Sequence, residues 1–357
     1  MNNFQKTLAL GQSLWYDDIS ADALQSGLLK EQRDLGVTGV TSNPAIFKKA
    51  ITSGPYYTKA IAQLPASLSE EELLEELMVA DVQAAADLFA PVYERSGGKD
   101  GFVSLEVSPR LAHDRKAQVE AGLRLFKKID RPNAMIKIPA TPEGIGAVED
   151  LTAAGVNVNA TLIFSGAAYR ATAEAFLAGL ERWVEGGAQG PCPQSVASAF
   201  VSRLDAALDA PLTEAGLDHC REKLGIDNCR LMYQDFLRIF SGSRWERLAA
   251  KGCSPQRPLW ASTSVKTKGL KPTAYVEALI GPNTVDTVPP ATLKAFFEGG
   301  IVEAHVTDEI PEARARFGEV AAAGIDVEEV NAKLLADGLE AFVVAYGDLL
   351  DAVKAAR

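Results

Sequence analysis

Short apolar runs alternate with longer amphipathic stretches along this chain. Each run is followed by a turn and then by apolar residues at helical spacing, which is the pattern of successive βα units. About eight runs fit the strand template, the number that closes a (β/α)8 barrel. These candidate strands span residues 13–18, 36–42, 102–107, 134–139, 156–164, 195–201, 258–262 and 283–288. The pattern predicts an α/β fold, a (β/α)8 TIM barrel with additional helices.

Helix signals stand between the candidate strands. Ser69 and Glu72 have the spacing of a capping box ahead of Leu73 and Leu77. The stretch at about 204–256 is longer than one crossover needs, so we expect extra helices there. The last fifty or so residues carry Ala, Leu and Val at helical spacing and should pack against the barrel. We therefore expect residues 1–357 to form a single TIM-barrel domain with these additions.

Composition narrows the class of protein. The chain has 357 residues, 47% of them hydrophobic, which is enough to bury a large core. Its formal charge of −11 argues against a general nucleic-acid surface, because phosphate backbones are bound by clustered Lys and Arg. No uninterrupted apolar stretch is long enough to span a membrane, and the first residues do not resemble a signal peptide. We expect a cytoplasmic protein with neither nucleic-acid nor membrane partners.

The cysteines and histidines do not suggest a metal site. Cys192, Cys220, Cys229 and Cys253 show no CxxC pair and no metal-finger spacing, so ordinary reduced thiols are expected. The chain has three histidines, and zinc chemistry is therefore not expected.

Lys137 stands out because it interrupts an apolar strand pattern. It shares one strand face with Met135, while Ile136 and Ile138 occupy the other face. Burying an unpaired ammonium is costly, so the position indicates an edge strand, a salt bridge or a neutral amine. A neutral amine can attack a carbonyl and form a Schiff base, whose iminium accepts the electron pair of a breaking carbon–carbon bond. An aldolase mechanism is therefore one of the open interpretations.

Other polar residues lie near the carboxyl ends of separate candidate strands, where a barrel places its active site. They could move protons, hold hydroxyl groups or bind phosphate. Each also has a structural interpretation: Asn43 before Pro44 could cap a helix, and Ser262 could be a turn residue. The set comprises Asp17, Asn43, Glu106, Asn159, Thr161, Ser198 and Ser262.

Long segments of the sequence together have the character of a family signature. The two most specific are GVTSNPAIF (39–47) and MIKIPATPEGIGAVEDL (135–151). Further segments are SLEVSPRLAHD (104–114), NVNATLIFS (157–165), FVSRLD (200–205), LWAST (259–263) and YVEALIGPNTVDTVPPATL (275–293). In content and order these segments resemble the transaldolase family, class I aldolases that form Schiff bases. The enlarged helical segment before LWAST is similar to the longer bacterial branch of that family.

The resemblance implies a catalytic role for four positions. Lys137 would be the Schiff-base lysine. Asp17 would transfer protons during carbon–carbon cleavage, with Asp18 as the adjacent alternative, since neighbouring strand residues cannot both face one pocket. Glu106 and Thr161 would share the water of imine formation and hydrolysis.

The resemblance also implies substrate-binding positions. Asn43 and Asn159 would hold donor hydroxyls, and Ser198 would line the same pocket. Arg203 matches a phosphate-binding arginine, whose forked donors suit that task.

The loop after LWAST departs from the family. Much of the family has a second arginine after the seventh strand, whereas this chain reads ASTSVKTKG. Lys266 is the expected substitute, with Ser262 and Ser264 donating hydrogen bonds. A solvated loop is the alternative interpretation for Lys266 and Lys268.

The resemblance implies transfer of a dihydroxyacetone unit from sedoheptulose 7-phosphate to glyceraldehyde 3-phosphate, giving erythrose 4-phosphate and fructose 6-phosphate in the pentose phosphate pathway. No metal and no organic cofactor is expected, because the iminium accepts the electron pair. The alternatives are a fructose-6-phosphate aldolase-like enzyme that releases dihydroxyacetone, and a non-catalytic sugar-phosphate binding protein. The partners expected are sugar phosphates, and the oligomeric state is left open between a monomer and a homodimer.

Overall fold

Eight parallel strands close into a barrel in the computed structural model, which describes residues 1–53, 55–187, 190–266 and 269–357. Each strand pairs with the next, and the eighth pairs with the first. The strands are β1 (Gln12–Tyr16), β2 (Gly39–Val40), β3 (Val103–Glu106), β4 (Ala134–Pro139), β5 (Val158–Ile163), β6 (Ser195–Phe200), β7 (Arg257–Ala261) and β8 (Thr284–Val288). The predicted (β/α)8 barrel is confirmed.

Helices follow the strands and enclose the barrel. In the described residues they are α1 (Asn3–Ala9), α2 (Ala21–Gln25), α3 (Leu28–Leu35), α4 (Pro44–Ser53), α5 (Pro55–Gln63), α6 (Glu70–Arg95), α7 (Arg115–Ile129), α8 (Pro142–Ala153), α9 (Gly166–Glu185), α10 (Ser202–Glu214), α11 (Leu224–Ile239), α12 (Gly242–Ala249), α13 (Ala274–Ala278), α14 (Pro290–Gly299), α15 (Ile310–Ala322) and α16 (Val327–Ala356). Short 3-10 helices span Pro109–Leu111 and Asp218–Cys220. None of the described helices is long and apolar enough to cross a membrane.

Local sequence signals explain where several helices begin. The Ser69 hydroxyl accepts a hydrogen bond from the Glu72 amide, and the Glu72 carboxylate accepts one from the Ser69 amide, so the predicted capping box starts α6. The helices α10, α11 and α12 occupy the long segment between β6 and β7.

The amino-terminal half of the barrel interior is filled by side chains. Trp15, Met135 and Val285 belong to one buried apolar cluster inside the strands. Trp15 also donates a hydrogen bond from Nε1 to Asp100 Oδ1 at 2.9 Å, which satisfies its only donor. Because this end is packed, free space inside the barrel lies toward the carboxyl ends of the strands.

The long helix α16 crosses the carboxyl end of the barrel. Leu339 is buried in the interior cluster. A Cβ at Gly338 would stand 3.2 Å from Leu162 Cδ2 and 3.3 Å from Arg203 Nη1. These separations are tight, so glycine allows α16 to approach β5 and α10 closely.

The expectation of four reduced thiols is wrong for two cysteines. Cys192 and Cys253 form a disulfide with a Cα–Cα distance of 5.2 Å, while Cys220 and Cys229 are free and buried. Cys192 precedes β6 and Cys253 precedes β7, and Val196 pairs with Arg257 in register. Both cysteines lie four residues before that pair, so the register brings them side by side. Their separation of 61 residues hides this in the sequence.

Candidate active site

Glu106, Lys137 and Asn159 form a row across three adjacent strands. Glu106 on β3 is in register with Lys137 on β4, which is in register with Asn159 on β5. Strand β4 therefore lies between two neighbours, which excludes the edge-strand interpretation of Lys137.

The amine of Lys137 is buried, with 6% of the residue exposed. Its Nζ donates a hydrogen bond to the Ser42 carbonyl oxygen at 3.2 Å and lies 3.9 Å from Glu106 Oε2. The ion pair with Glu106 is at the outer distance limit for a salt bridge. The amine therefore lies close to the Glu106 carboxyl group and also faces the space above it.

Burial controls the protonation of Glu106. Desolvation raises its pKa to about 7, although the positive charge of Lys137 acts in the opposite direction. Its Oε2 accepts no hydrogen bond from the described residues. A carboxyl group in this state can take up and return a proton near neutral pH.

Asp17 directly follows the carboxyl end of β1. Thr41 Oγ1 donates a hydrogen bond to Asp17 Oδ1 at 2.8 Å, and Thr41 also contacts the hydroxyl of Thr287. Desolvation raises the pKa of Asp17, opposed first by the charge of Lys137 and then by the Thr41 hydrogen bond. Asp17 lines both the cavity that contains Lys137, described next, and a neighbouring pocket, whereas Asp18 lines only the neighbouring pocket.

A cavity of about 170 Å³ opens above Lys137 at the carboxyl end of the barrel. The structure brings seven of the predicted site residues together in its lining: Asp17, Asn43, Lys137, Thr161, Ser198, Arg203 and Ser262. They come from strand ends and loops that are far apart in the chain. The cavity therefore combines an amine, a carboxylate, hydroxyl and amide groups and a guanidinium.

Hydrogen bonds fix the polar floor of this cavity. Ser198 donates to Asn159 Oδ1 at 2.7 Å, and Asn159 Nδ2 donates to Ser104 Oγ at 3.1 Å. Asn159 is thus buried behind Ser198 and orients it. Thr161 Oγ1 is buried and has no hydrogen-bond partner among the described residues.

A break in the β5 ladder lies next to Thr161. The register with β6 shifts between Ala160 and Ile163, and Leu162 has a φ of 59°. A non-glycine residue seldom adopts this left-handed conformation, and such bulges commonly re-aim side chains beside active sites. Here the shift turns Leu162 toward α16 while Thr161 remains in the cavity lining.

Arg203 forms the cationic end of the cavity. It lies in the first turn of α10, with its guanidinium carbon 5.1 Å from the centroid of the Phe200 ring. Burial lowers its pKa from the ordinary value. Ser262 lies nearby at the end of β7, with its Oγ 2.9 Å from Ser202 Oγ.

Comparisons with known proteins identify this arrangement. The family profile described as Transaldolase/Fructose-6-phosphate aldolase matches residues 14–353. The chain belongs to this family. It is 45% identical to "Transaldolase" of Neisseria gonorrhoeae, over 96% of this chain and 97% of that protein. It is 43% identical to "Transaldolase 1" of Streptomyces avermitilis, over 99% of this chain and 95% of that protein. The resemblance in the sequence segments is confirmed.

Three predicted site residues lie outside the lining of the cavity: Asn159, which is buried behind Ser198, Glu106 and Lys266. Glu106 lines a neighbouring groove between α6 and α7, although its carboxylate reaches Lys137. Lys266 is exposed and is not part of the cavity lining, whereas Ser264 is. Lys268 lies outside the described residues. The phosphate role of Lys266 stays a prediction.

Asn43 both caps a helix and lines the cavity, so its structural and its functional interpretation are compatible. Its Oδ1 accepts a hydrogen bond from the Ile46 amide at 3.1 Å, so it caps the start of α4. It also lines the cavity. The cap therefore fixes the side chain that faces the substrate space.

Some residues in the cavity lining were not predicted. Thr41, Phe200 and Thr287 could have been found from strand alternation, because each follows the parity of inward-facing neighbours. Phe342 comes from α16, and no signal in the sequence indicates which face of that helix covers the barrel.

One group of possible metal ligands occurs in the described part of the chain, away from this cavity. His219, Cys220 and Glu319 have ligand atoms within 4.8 Å of one another. His219 Nε2 and Glu319 Oε2 already form a contact of 2.7 Å, and Cys220 belongs to a buried apolar cluster.

Proposed function

We propose that this chain is a transaldolase that acts through a Schiff base on Lys137. In this reaction a dihydroxyacetone unit passes from sedoheptulose 7-phosphate to glyceraldehyde 3-phosphate, giving erythrose 4-phosphate and fructose 6-phosphate. The observation that carries the proposal is the buried Lys137 amine, which lies 3.9 Å from Glu106 Oε2 and faces a polar cavity whose lining includes Asp17. The names of the relatives support the same activity.

Imine formation begins when the neutral Lys137 amine attacks the ketose carbonyl carbon. The carbonyl oxygen leaves as water after it has received protons. Glu106, with a pKa of about 7, donates and recovers a proton through this water, and the free hydroxyl of Thr161 holds it. The same groups act in reverse when the product imine is hydrolysed.

Carbon–carbon cleavage uses the iminium as the electron acceptor. Asp17 removes the proton from the hydroxyl group on the carbon beyond the breaking bond. That carbon becomes an aldehyde, and the electron pair of the bond passes into the iminium to give an enamine. The acceptor aldehyde then binds, the enamine carbon forms the new bond, and Asp17 returns its proton to the new hydroxyl. This chemistry needs no metal and no organic cofactor.

The cavity also accounts for the choice of sugar phosphates. Asn43 and Ser198 present polar groups to the hydroxyls of the three-carbon unit. We propose that Arg203, which lines the cavity, binds the substrate phosphate, and its contact with the Phe200 ring supports this role by holding the guanidinium in position. Lys266 is proposed as a second, more distant cation. The pentose phosphate pathway, a cytoplasmic location and a single TIM-barrel domain are part of this proposal.

Borohydride trapping tests the proposal. The protein is incubated with fructose 6-phosphate and borohydride, and its intact mass and peptides are measured. We expect a reduced three-carbon adduct on Lys137, and no adduct in Lys137→Arg, because Arg cannot supply a neutral amine. Lys127→Arg, a change at an exposed position of α7, is the matched control and should still form the adduct. An active protein with unmodified Lys137 would contradict the proposal.

A further inference from the structure

The C-terminal helix α16 presents one face to the cavity. Leu339, Phe342 and Tyr346 are spaced by three and four residues, so they lie on the same side of the helix. Leu339 belongs to the apolar cluster of the barrel interior. The centroid of the Tyr346 ring lies 5.5 Å from the Arg110 guanidinium carbon, and both residues line the groove that contains Glu106. Phe342 lies between Leu339 and Tyr346 along the helix.

Phe342 places an aromatic ring beside the reactive amine. Its ring centroid is 6.0 Å from Lys137 Nζ, and the side chain lines the same cavity. This distance is the outer limit for a cation–π contact, which strengthens when the cation is shielded from water. The mechanism turns this amine into a cationic iminium, and Phe342 is the apolar surface that faces it from α16.

We propose that Phe342 is a specificity residue that decides whether the three-carbon unit is transferred or released. The inference rests on the proposed transaldolase reaction and extends it. Phe342 lies on the α16 side of the cavity, beside the nitrogen on which the enamine forms, and its apolar ring excludes water from that space. Without a nearby water the enamine is not protonated, so the intermediate stays bound until an acceptor aldehyde arrives.

The two outcomes differ in what the enamine carbon bonds to. In transfer, it bonds to the acceptor carbonyl carbon, and the carbonyl oxygen takes the proton held by Asp17. In release, it takes a proton from water and becomes an iminium again. A water molecule then adds to the imine carbon, the carbon–nitrogen bond breaks, the amine of Lys137 is regenerated and dihydroxyacetone leaves. Only release requires water beside the enamine carbon.

The test measures dihydroxyacetone release and transfer in one reaction, with fructose 6-phosphate as donor and erythrose 4-phosphate as acceptor. We expect the ratio of release to transfer to rise about tenfold in Phe342→Ala, which opens space for water and removes the ring. Phe342→Leu keeps most of the apolar volume and should give a smaller rise. Val343→Ala, at a position 37% exposed on the same helix, is the control and should leave the ratio unchanged.

Borohydride trapping on the same samples separates this inference from the proposed function. If both Phe342 variants keep the ratio within about twofold of the parent while the Lys137 adduct forms, the role of Phe342 is overturned. If the parent itself forms no adduct, the proposed function is overturned instead. Should Phe342→Ala fail to fold, Phe342→Leu still decides, because a rise in its ratio supports the role and an unchanged ratio refutes it.

Discussion

Asp286 is a buried carboxyl group whose protonation should make stability fall with rising pH. It lies on β8 between Val285 and Thr287, which face the barrel interior, so its own side chain points toward the surrounding helices. Thr263 Oγ1 donates a hydrogen bond to Asp286 Oδ1 at 3.1 Å, but Oδ2 has no partner among the described residues. Desolvation raises the pKa of Asp286 from 3.8 to about 8, and the charge of Asp17 adds to the rise.

The direction in which stability changes with pH follows from which state binds the Asp286 proton. Between about pH 4 and pH 8 the folded protein keeps the Asp286 proton, whereas the unfolded chain loses it. The free energy of unfolding therefore falls as pH rises through this range, by up to about 1.4 kcal/mol for each unit. From pH 5 to pH 8 the loss is at most about 4 kcal/mol. Asp286→Asn keeps the acceptor for Thr263 and cannot ionise, so it should remove this part of the loss.

Urea unfolding at pH 5 and pH 8 measures the effect. For each protein, the readout is the difference between the unfolding free energies at pH 5 and at pH 8. Any effect of the amide itself on stability is the same at both pH values and cancels in this difference. Asp351→Asn removes the same charge from an exposed position of α16 and should follow the parent. If Asp286→Asn and the parent lose stability in parallel, the carboxyl group does not hold its proton and the reasoning is refuted.

Three further predictions concern the site and the disulfide. Glu106→Gln should slow turnover by about a hundredfold or more and remove the decline of the parent's activity above pH 7, where Glu106 has lost the proton that it donates; pH–rate profiles check this. Arg203→Ala should raise KM for fructose 6-phosphate by about tenfold. Lys266→Ala should raise it by less, because of these two residues Arg203 alone lines the cavity. Equal effects would show that Lys266 contributes to phosphate binding as much as Arg203 does. Reduction of the Cys192–Cys253 disulfide should lower the unfolding free energy by up to about 4 kcal/mol, given its span of 61 residues. Urea unfolding with and without reductant tests this, and Cys192→Ser should show no response to reductant.

The strands were predictable because each is a local pattern. Each of the eight runs overlaps an observed strand, and the run at 134–139 matches β4 in full. The runs at 13–18 and 258–262 begin one residue after the start of β1 and β7. The run at 36–42 exceeds β2, because the paired ladder covers only Gly39–Val40 although the apolar pattern extends beyond it. Hydrophobicity reports burial, and burial continues past the last ladder pair.

The site was predictable where strand alternation and the family resemblance agree. Lys137 and Ser198 are inward positions at carboxyl ends, and they line one cavity as expected. The disulfide and Phe342 were not predictable, because they depend on the register between β6 and β7 and on the path of α16. Neither the register between two strands nor the path of a helix across the barrel can be read from the spacing of residues along the chain.

The position of α16 in the chain affects how the protein is made. All eight strands precede this helix in the sequence, so during synthesis the barrel can close while the segment that covers its opening is still in the ribosome. For that interval the cavity lacks the part of its lining that α16 supplies. Docking of α16 brings Phe342 into place and completes the lining of the cavity.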